Sequence, residues 1–335
     1  FAPPSYASTV RALVVGGGGP GGWGSAIVTV PYFYWKQFGD ERWLRELYPQ
    51  MLRYFDYLED HSENKLVTSD RAGEWCLGDW CPPGEARVMI LPAPFVNNYF
   101  YVVSLRRVIE IAKLLGHEED IPMLEERAAE RIRAITAAYF NTWDSNFIGG
   151  LQGANAFALD MGVGDETTFA NMVKYYTADG CYDTGIFGTE IVTRLLFRLG
   201  EYETAYKLMT ADTPHGFGHW MNQGATTLWE YWTGRRSHSH PMFGAVVVYL
   251  FRYILGINQE KDSYGYEKIL IAPVDIKATG KFSGKITVPA GEISVSAEYT
   301  ESRAYFEIEL PADGTFKFKD TEISLTAGKN KIIIE

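Results

Sequence analysis

The segment Gly224-Ala225-Thr226-Thr227-Leu228-Trp229-Glu230-Tyr231-Trp232 sets a carboxylate between two indoles, and Ser237-His238-Ser239-His240 follows shortly after. Flat rings beside a carboxylate remove part of its hydration and offer apolar faces to a sugar. That arrangement suits a general acid or base at a glycosidic bond. The same residues also describe an interhelical salt bridge at Glu230 with Trp229 and Trp232 in the core, and both readings stay open at this level. A second cluster is Glu74-Trp75-Cys76-Leu77-Gly78-Asp79-Trp80-Cys81-Pro82-Pro83. Its prolines bar a helix, so Asp79 and Trp80 sit in a stiff loop. A Trp beside an Asp can stack one face of a sugar while bonding its rim; alternatively, Asp79 caps its own loop. Trp23-Gly24 and Pro31-Tyr32-Phe33-Tyr34-Trp35 add further rings, with Trp23 and Tyr32 as candidate sugar contacts and many of the others as core.

Composition narrows the partners. The 335 residues are 46% hydrophobic, and nine Trp, 21 Tyr and 19 Phe exceed what an ordinary core uses. A formal net charge of −11 argues against nucleic acid or an anionic membrane, which attract basic surfaces. Cys76, Cys81 and Cys181 form no disulfide framework and have no zinc-type spacing, so they read as small buried thiols, and no metal or cofactor is expected. The glycine run Gly16 to Gly22 lacks the Lys-Ser/Thr of a phosphate loop and reads as a loop entering the first helix. No apolar run is long enough to span a bilayer. The first residue is Phe and no signal peptide is legible, so the natural start is expected to be missing or processed.

Helical periodicity dominates the elements that must position these clusters. Asp40 precedes an apolar face of Leu44, Leu47, Met51, Phe55 and Leu58 and is expected to cap that helix. Leu105, Val108, Ile109, Ala112 and Leu115 form another face, stopped by Gly116. Phe169, Met172, Val173 and Tyr176 form a third, and Ile191, Val192, Leu195, Leu196 and Leu199 a fourth, ended by Gly200. Ala245 to Leu255 is apolar nearly all round and should be covered on every side. One-faced helices alternating with all-apolar ones predict two concentric layers, an (α/α)6 toroid over residues 1–262. Roughly ten helical segments are legible where a six-pair barrel has twelve, which places the missing pair upstream of residue 1. From residue 263 to 335 the period shortens. Ile293, Val295 and Ala297 mark one strand face; Phe306, Ile308 and Leu310, with Tyr305 more weakly, mark another. Pro289-Ala290-Gly291 and Pro311-Ala312-Asp313-Gly314 supply turns, so this part is expected to be a small antiparallel β-sandwich.

These residues carry a resemblance. Gly224 to Trp232 is similar to the Gly-Ala-Thr-Thr-x-Trp-Glu-x-Trp signature of family 78 glycoside hydrolases, the α-L-rhamnosidases. Ser239-His240 with Phe243-Gly244 resembles their Asn-His...Phe-Gly element, Gly78-Asp79-Trp80 their Gly-Asp-Trp loop, and Gly22-Trp23-Gly24 with Val30-Pro31 an early helix. Order and spacing match over roughly residues 20 to 260, and a C-terminal β-domain is also expected. The resemblance implies an inverting hydrolase acting on rhamnose-containing oligosaccharides, polysaccharides or glycosides. It maps the general base onto Glu230, a water- or sugar-orienting role onto His240, the ring platform onto Trp80, and further contacts onto Asp79, Trp23, Tyr32 and Trp229. The family's general-acid stretch precedes its early Trp-Gly helix and is absent here; Asp70 to Trp75 echoes it in the wrong order. Ser25, Tyr32 and Ser239 also replace the family's usual Asp, Trp and Asn. Other readings are a different exo-glycosidase on the same toroid, a polysaccharide lyase, or a non-catalytic carbohydrate-binding fragment. A lyase needs cations to neutralise a uronate, and the clusters hold few beyond Arg235 and Arg236.

Overall fold

The computed structural model describes residues 20–68, 76–84, 91–276 and 280–335. The glycine run before Pro20 and the Asp70 to Trp75 echo lie outside these residues. Among the described residues nine helices come first: α1 (Ala26–Phe38), α2 (Arg42–Asp60), α3 (Ala93–Leu115), α4 (Ile121–Tyr139), α5 (Gln152–Asp160), α6 (Glu166–Asp179), α7 (Ile186–Arg198), α8 (Tyr202–Thr210) and α9 (Phe217–Asn222). Short hairpins join some of them, β1 (Ser62–Glu63) with β2 (Leu66–Val67) and β3 (Phe140–Asn141) with β4 (Asn146–Phe147). Two compact units emerge, one from described residues in 20–32, 42–199 and 204–244, the other from 33–41, 200–203 and 245–335.

In the first unit the expected faces are buried in part: Leu47, Ile109, Leu115, Phe169 and Val173 are only half-buried, and Ile111 is buried where Ile109 was expected. On α2, Leu44, Met51, Phe55 and Leu58 are buried together with Tyr48 and Tyr54. On α3, Leu105, Val108, Ile111 and Ala112 are buried, and Gly116 closes the helix in the left-handed region at φ 79°, its N–H bonded to Ala112 O. On α6, Asp165 accepts from Thr168 N and the Thr168 side chain returns the bond, a reciprocal cap. Helix pairs α3–α4, α5–α6, α5–α7 and α2–α3 pack together. Three of these helices meet at Asp160, at the end of α5. Its carboxylate accepts from Tyr99 of α3 at 2.6 Å and pairs with Arg194 and Arg198 of α7 at 2.6 and 2.9 Å. Leu199 departs from expectation: it is 45% exposed, because the helix has ended at Arg198.

The irregular helix after residue 240 begins in the first unit and continues in the second from Ala245; it passes from 3-10 (Pro241–Val246) through a short α turn, α10 (Val247–Tyr249), into π geometry (Leu250–Ile254). Val247 and Val248 are exposed, so this segment is not covered on all sides. Strands follow: β5 (Ile257–Gln259), β6 (Ile269–Ile271), β7 (Lys281–Val288), β8 (Gly291–Tyr299), β9 (Ala304–Leu310), β10 (Gly314–Phe318), β11 (Thr321–Leu325) and β12 (Gly328–Ile334). They form two four-stranded sheets, ordered β11-β10-β6-β5 and β12-β9-β8-β7. Register explains the alternation: Val295 lies opposite Ile308 and Ala297 opposite Phe306, and all four are buried. Residues of both sheets share one core around Phe306, Phe316 and Phe318. Tyr305, weakly expected in that core, points outward. Exposed faces carry cross-strand pairs such as Lys331–Glu307 and Lys285–Glu292. The strand pairs are antiparallel except β6 with β10, which run parallel, a correction to the all-antiparallel expectation.

Candidate active site

The site is organised by the start of α7. A helix leaves its first N–H groups without internal partners, and here a distant loop supplies them. Asp79 accepts from Gly185 N at 2.7 Å, Phe187 N at 3.0 Å and Gly188 N at 3.0 Å, while Trp80 O accepts from Ile186 N at 2.8 Å. Only glycine suits two of these positions. A Cβ at Gly185 would lie 2.2 Å from Trp80 O, and one at Gly188 would lie 2.6 Å from Asp79 Oδ2. Burial pushes the Asp79 carboxyl up to about 6, against the pull of the three N–H donors. Asp79 is 2% exposed and its oxygens are taken. Asp79 is therefore a tertiary helix cap, neither the expected sugar contact nor a cap of its own loop.

The preceding residues extend this frame. Asp183 accepts from Gly153 N at 3.1 Å, in the first turn of α5, and from Tyr176 Oη at 2.6 Å; burial raises its carboxyl above the ordinary range. Tyr182 stacks on Trp232 at 5.8 Å and 14°, and Thr184 O accepts from Trp232 Nε1 at 3.0 Å. Trp232 O in turn accepts from Trp220 Nε1 at 2.9 Å. Trp232 is thus bonded at both ends and walled by Phe217, Trp220 and Phe243. It is core, and it fixes the backbone two residues from Glu230.

The Glu230 segment folds back on itself. Glu230 N donates to Ser237 O at 2.9 Å, His240 N to Leu228 O at 2.9 Å, and the Thr227 hydroxyl to His238 O. Trp229 is 6% exposed, stacked on His238 at 4.3 Å and packed on Trp220 at 5.8 Å, so the ring expected to bind sugar is buried against protein rings. Glu230 itself is half-buried. Its Oε2 accepts one long bond from Ser237 N at 3.4 Å, and among the described residues no basic side chain pairs with it. A carboxylate in this state keeps its acceptor capacity for a water or a sugar hydroxyl.

Tyr231 joins this segment to the Asp79 loop. Its ring lies 6.3 Å from Trp80 at 57°, Arg236 sits 5.9 Å over the ring, and its buried hydroxyl has no hydrogen-bond partner among the described residues. Glu230 acts electrostatically on both Tyr231 and Cys81. Cys76 and Cys81 are buried as expected; Cys181 is half-buried, its thiol bonded to Asp179 at 2.9 Å. Trp80 is half-buried and Trp23 is 41% exposed. Trp23 reaches this region through Phe187, an edge-to-face neighbour at 6.5 Å whose N–H is one of the Asp79 donors. His240 is half-buried with Nε2 2.7 Å from Met242 Sδ. Tyr32 is held elsewhere, donating to Glu110 at 2.7 Å with Arg107 over its ring. The structure therefore gathers Trp80, Glu230 and their neighbours, and leaves Tyr32 outside that set. Sequence reasoning had quoted Tyr231 without a role and had passed over Asp183 and Thr184. The Asp-Thr-Gly before an apolar helix was a legible capping signal, but its carboxylate serves α5 rather than α7.

Residues 3–254 match the family model for the bacterial alpha-L-rhamnosidase 6 hairpin glycosidase domain. An alpha-L-rhamnosidase of Alteromonas sp. (strain LOR) is 24% identical over 321 residues, covering 89% of this chain and 34% of the relative. The solved Streptomyces avermitilis alpha-L-rhamnosidase, complexed with L-rhamnose, superposes with a TM-score of 0.82 at 20% identity over 95% of this chain and 33% of its own. The alpha-L-rhamnosidase from Dictyoglumus thermophilum gives 0.79 at 23% identity over 93% of this chain and 39% of its own. These likenesses establish the fold, and the chain spans about a third of the length of the relatives it matches. The mainly helical architecture, the order of its motifs and the family match together place this chain in the bacterial alpha-L-rhamnosidase six-hairpin glycosidase family.

Proposed function

We propose that this chain carries the general-base side of an α-L-rhamnosidase that removes terminal α-L-rhamnose with inversion. Glu230 deprotonates the attacking water, and a second carboxyl group protonates the leaving oxygen from the opposite side of the sugar. Inversion requires the two groups roughly 6.5–9.5 Å apart, enough room for that water. Trp80 stacks the apolar face of the rhamnose that carries its methyl group. His240 orients the water or a ring hydroxyl, and Trp23, still partly open to solvent, extends the aromatic surface. Asp79 and Trp229 act from behind, holding the loop and the Glu230 segment.

One observation carries this reading. Glu230 is half-buried and free of ion pairing among the described residues, in a segment anchored on either side by buried aromatic rings. We read residues 1–262 as an (α/α)6 catalytic barrel and 263–335 as a β-sandwich. The family match to residue 254 and the first sheet strand at Ile257 support a boundary in this neighbourhood. Substrates are rhamnose-terminated glycosides, a class the relatives' names support.

The test is stereochemical. When the full-length protein is given an aryl α-L-rhamnoside and followed by proton NMR, β-L-rhamnose should appear first and mutarotate later. Appearance of the α-anomer first would reject the inverting mechanism, and absence of released rhamnose would reject the hydrolase.

A further inference from the structure

Arg235 and Arg236 are the cations of the Glu230 segment, and hydrolysis of a neutral rhamnoside calls on neither. Arg236 is exposed, yet its backbone is closely constrained. It lies in the left-handed region at φ 63°, uncommon for a residue with a Cβ and kept only where the surroundings fix it. Before it, Gly234 N donates to Tyr231 O at 2.9 Å and closes a turn. After it, Ser237 meets Glu230 twice: Glu230 N donates to Ser237 O at 2.9 Å, and Ser237 N donates to Glu230 Oε2 at 3.4 Å. The chain reversal at Arg236 is therefore part of the same set of bonds that holds the Glu230 carboxylate.

The side chain is placed as well. Its guanidinium lies over the Tyr231 ring, 5.9 Å from the centroid, and that ring neighbours Trp80 at 6.3 Å. The cation thus sits one ring away from the proposed rhamnose platform. In a chain of net charge −11 a basic side chain readily finds a carboxylate, as Arg194 and Arg198 do at Asp160 and Lys331 does at Glu307. Arg236 makes no ion pair among the described residues, with Glu230 or with any other acid. A guanidinium resting on an aromatic face keeps the N–H groups along its edge, and these match the paired oxygens of a carboxylate or a sulfate.

We propose that Arg236 is a specificity residue that receives an anionic group of the substrate, a carboxylate or a sulfate ester, carried by the rhamnose or by the sugar bonded to it. The assignment rests on the reading of Trp80 as platform and Glu230 as base, and it names the substrate class of that site as acidic rhamnose-containing glycans. The site's own carboxylate and the negative charge of the chain repel such a substrate, and Arg236 offsets that repulsion where the sugar docks.

The experiment compares charged and neutral substrates of the same shape on the full-length protein. One pair is an α-L-rhamnosyl disaccharide of glucuronic acid and its methyl ester. The other is a nitrophenyl α-L-rhamnoside sulfated on the rhamnose and its unsulfated parent, so the two pairs separate an anion on the leaving sugar from one on the rhamnose. In the wild type, kcat/KM for the charged member should exceed that for the neutral one by about tenfold or more in at least one pair, the range of a charged hydrogen bond. That ratio should shrink in about 0.5 M salt. Arg236→Gln should bring it to about one, and Arg236→Lys to an intermediate value, because an ammonium keeps the charge and loses the fork. Each ratio compares two substrates on one enzyme, so a general loss from a disturbed Glu230 cancels. A wild-type ratio of one or less in both pairs would overturn the proposal, as would a favoured ratio unchanged in Arg236→Gln. If none of the four compounds is hydrolysed, the hydrolase reading falls. Calorimetric affinities for the same pairs, wild type against Arg236→Gln, then decide the Arg236 assignment by the same ratios.

Discussion

Glu230→Gln should lower the turnover of an aryl α-L-rhamnoside by about 10²–10⁴-fold, the range of a general acid–base contribution. The change is nearly isosteric and removes only the ability to take a proton. The bond from Ser237 N can be kept by the amide oxygen, and the fold of the segment rests on Glu230 N, Leu228 O and the buried Trp229 and Trp232 rather than on the carboxylate. Rhamnose affinity should therefore stay close to wild type, and the melting temperature should hardly move. Nitrophenolate release gives kcat and calorimetry gives affinity. Unchanged turnover would reject Glu230 as the base. Turnover and stability lost together would return it to the structural role that the sequence also allowed.

Asp160→Ala should give the largest loss of stability. The Asp160 side chain is 2% exposed and takes Arg194, Arg198 and the Tyr99 hydroxyl at once. Removing one partner of a buried pair strands the other charge, at about 3–5 kcal/mol. Glu190 still pairs with Arg194 at 2.8 Å, which favours the lower end. In a domain of this size that is a fall on the order of 5–10 °C in melting temperature. The pH dependence has a definite sign. Burial pushes the Asp160 carboxyl upward, but the Arg194 guanidinium, the Tyr99 hydroxyl and Arg198 outweigh it and hold the carboxyl below its ordinary value of 3.8. Its contribution is then fully present above the unfolded value and is lost as pH falls through the lowered one. The gap between wild type and variant should be constant from about pH 7 to 5 and should close below about pH 4. Calorimetric melts across that range test it, and a gap that widens on acidification would show that the ion pairs do not govern this site.

Periodicity made the helices and most strands legible because burial repeats with the backbone. Leu105 to Gly116 is an apolar stripe plus a left-handed stop, and both halves of that signal are local. Ile293, Val295 and Ala297 alternate because one face of their sheet is covered. β11, with only a short Ile323 to Leu325 alternation, and the three-residue β5 gave too little pattern to see, although their antiparallel partners β10 and β6 are the neighbouring strands in the chain. The parallel β6–β10 contact is a property of topology that no local alternation encodes.

At the site, residue type indicated the chemistry but not the direction each side chain takes. Asp79 and Glu230 are both carboxylates beside a tryptophan. One faces the N–H groups of a helix more than a hundred positions away, and the other is left open. That difference depends on glycines at 185 and 188 letting the loop come close. Trp229 and Trp80 are both rings next to an acid, yet Trp220 and His238 cover the first while the second stays half-buried. Tyr231 drew no attention because its ring neighbour, Trp80, belongs to a cluster read separately.

A crystal of the full-length protein soaked with L-rhamnose tests the central claim most directly. The sugar should lie with its methyl-bearing face on Trp80 and its anomeric carbon across a single water from the Glu230 carboxylate. A rhamnose bound away from Glu230, or that carboxylate turned from the sugar into an ion pair, would contradict it.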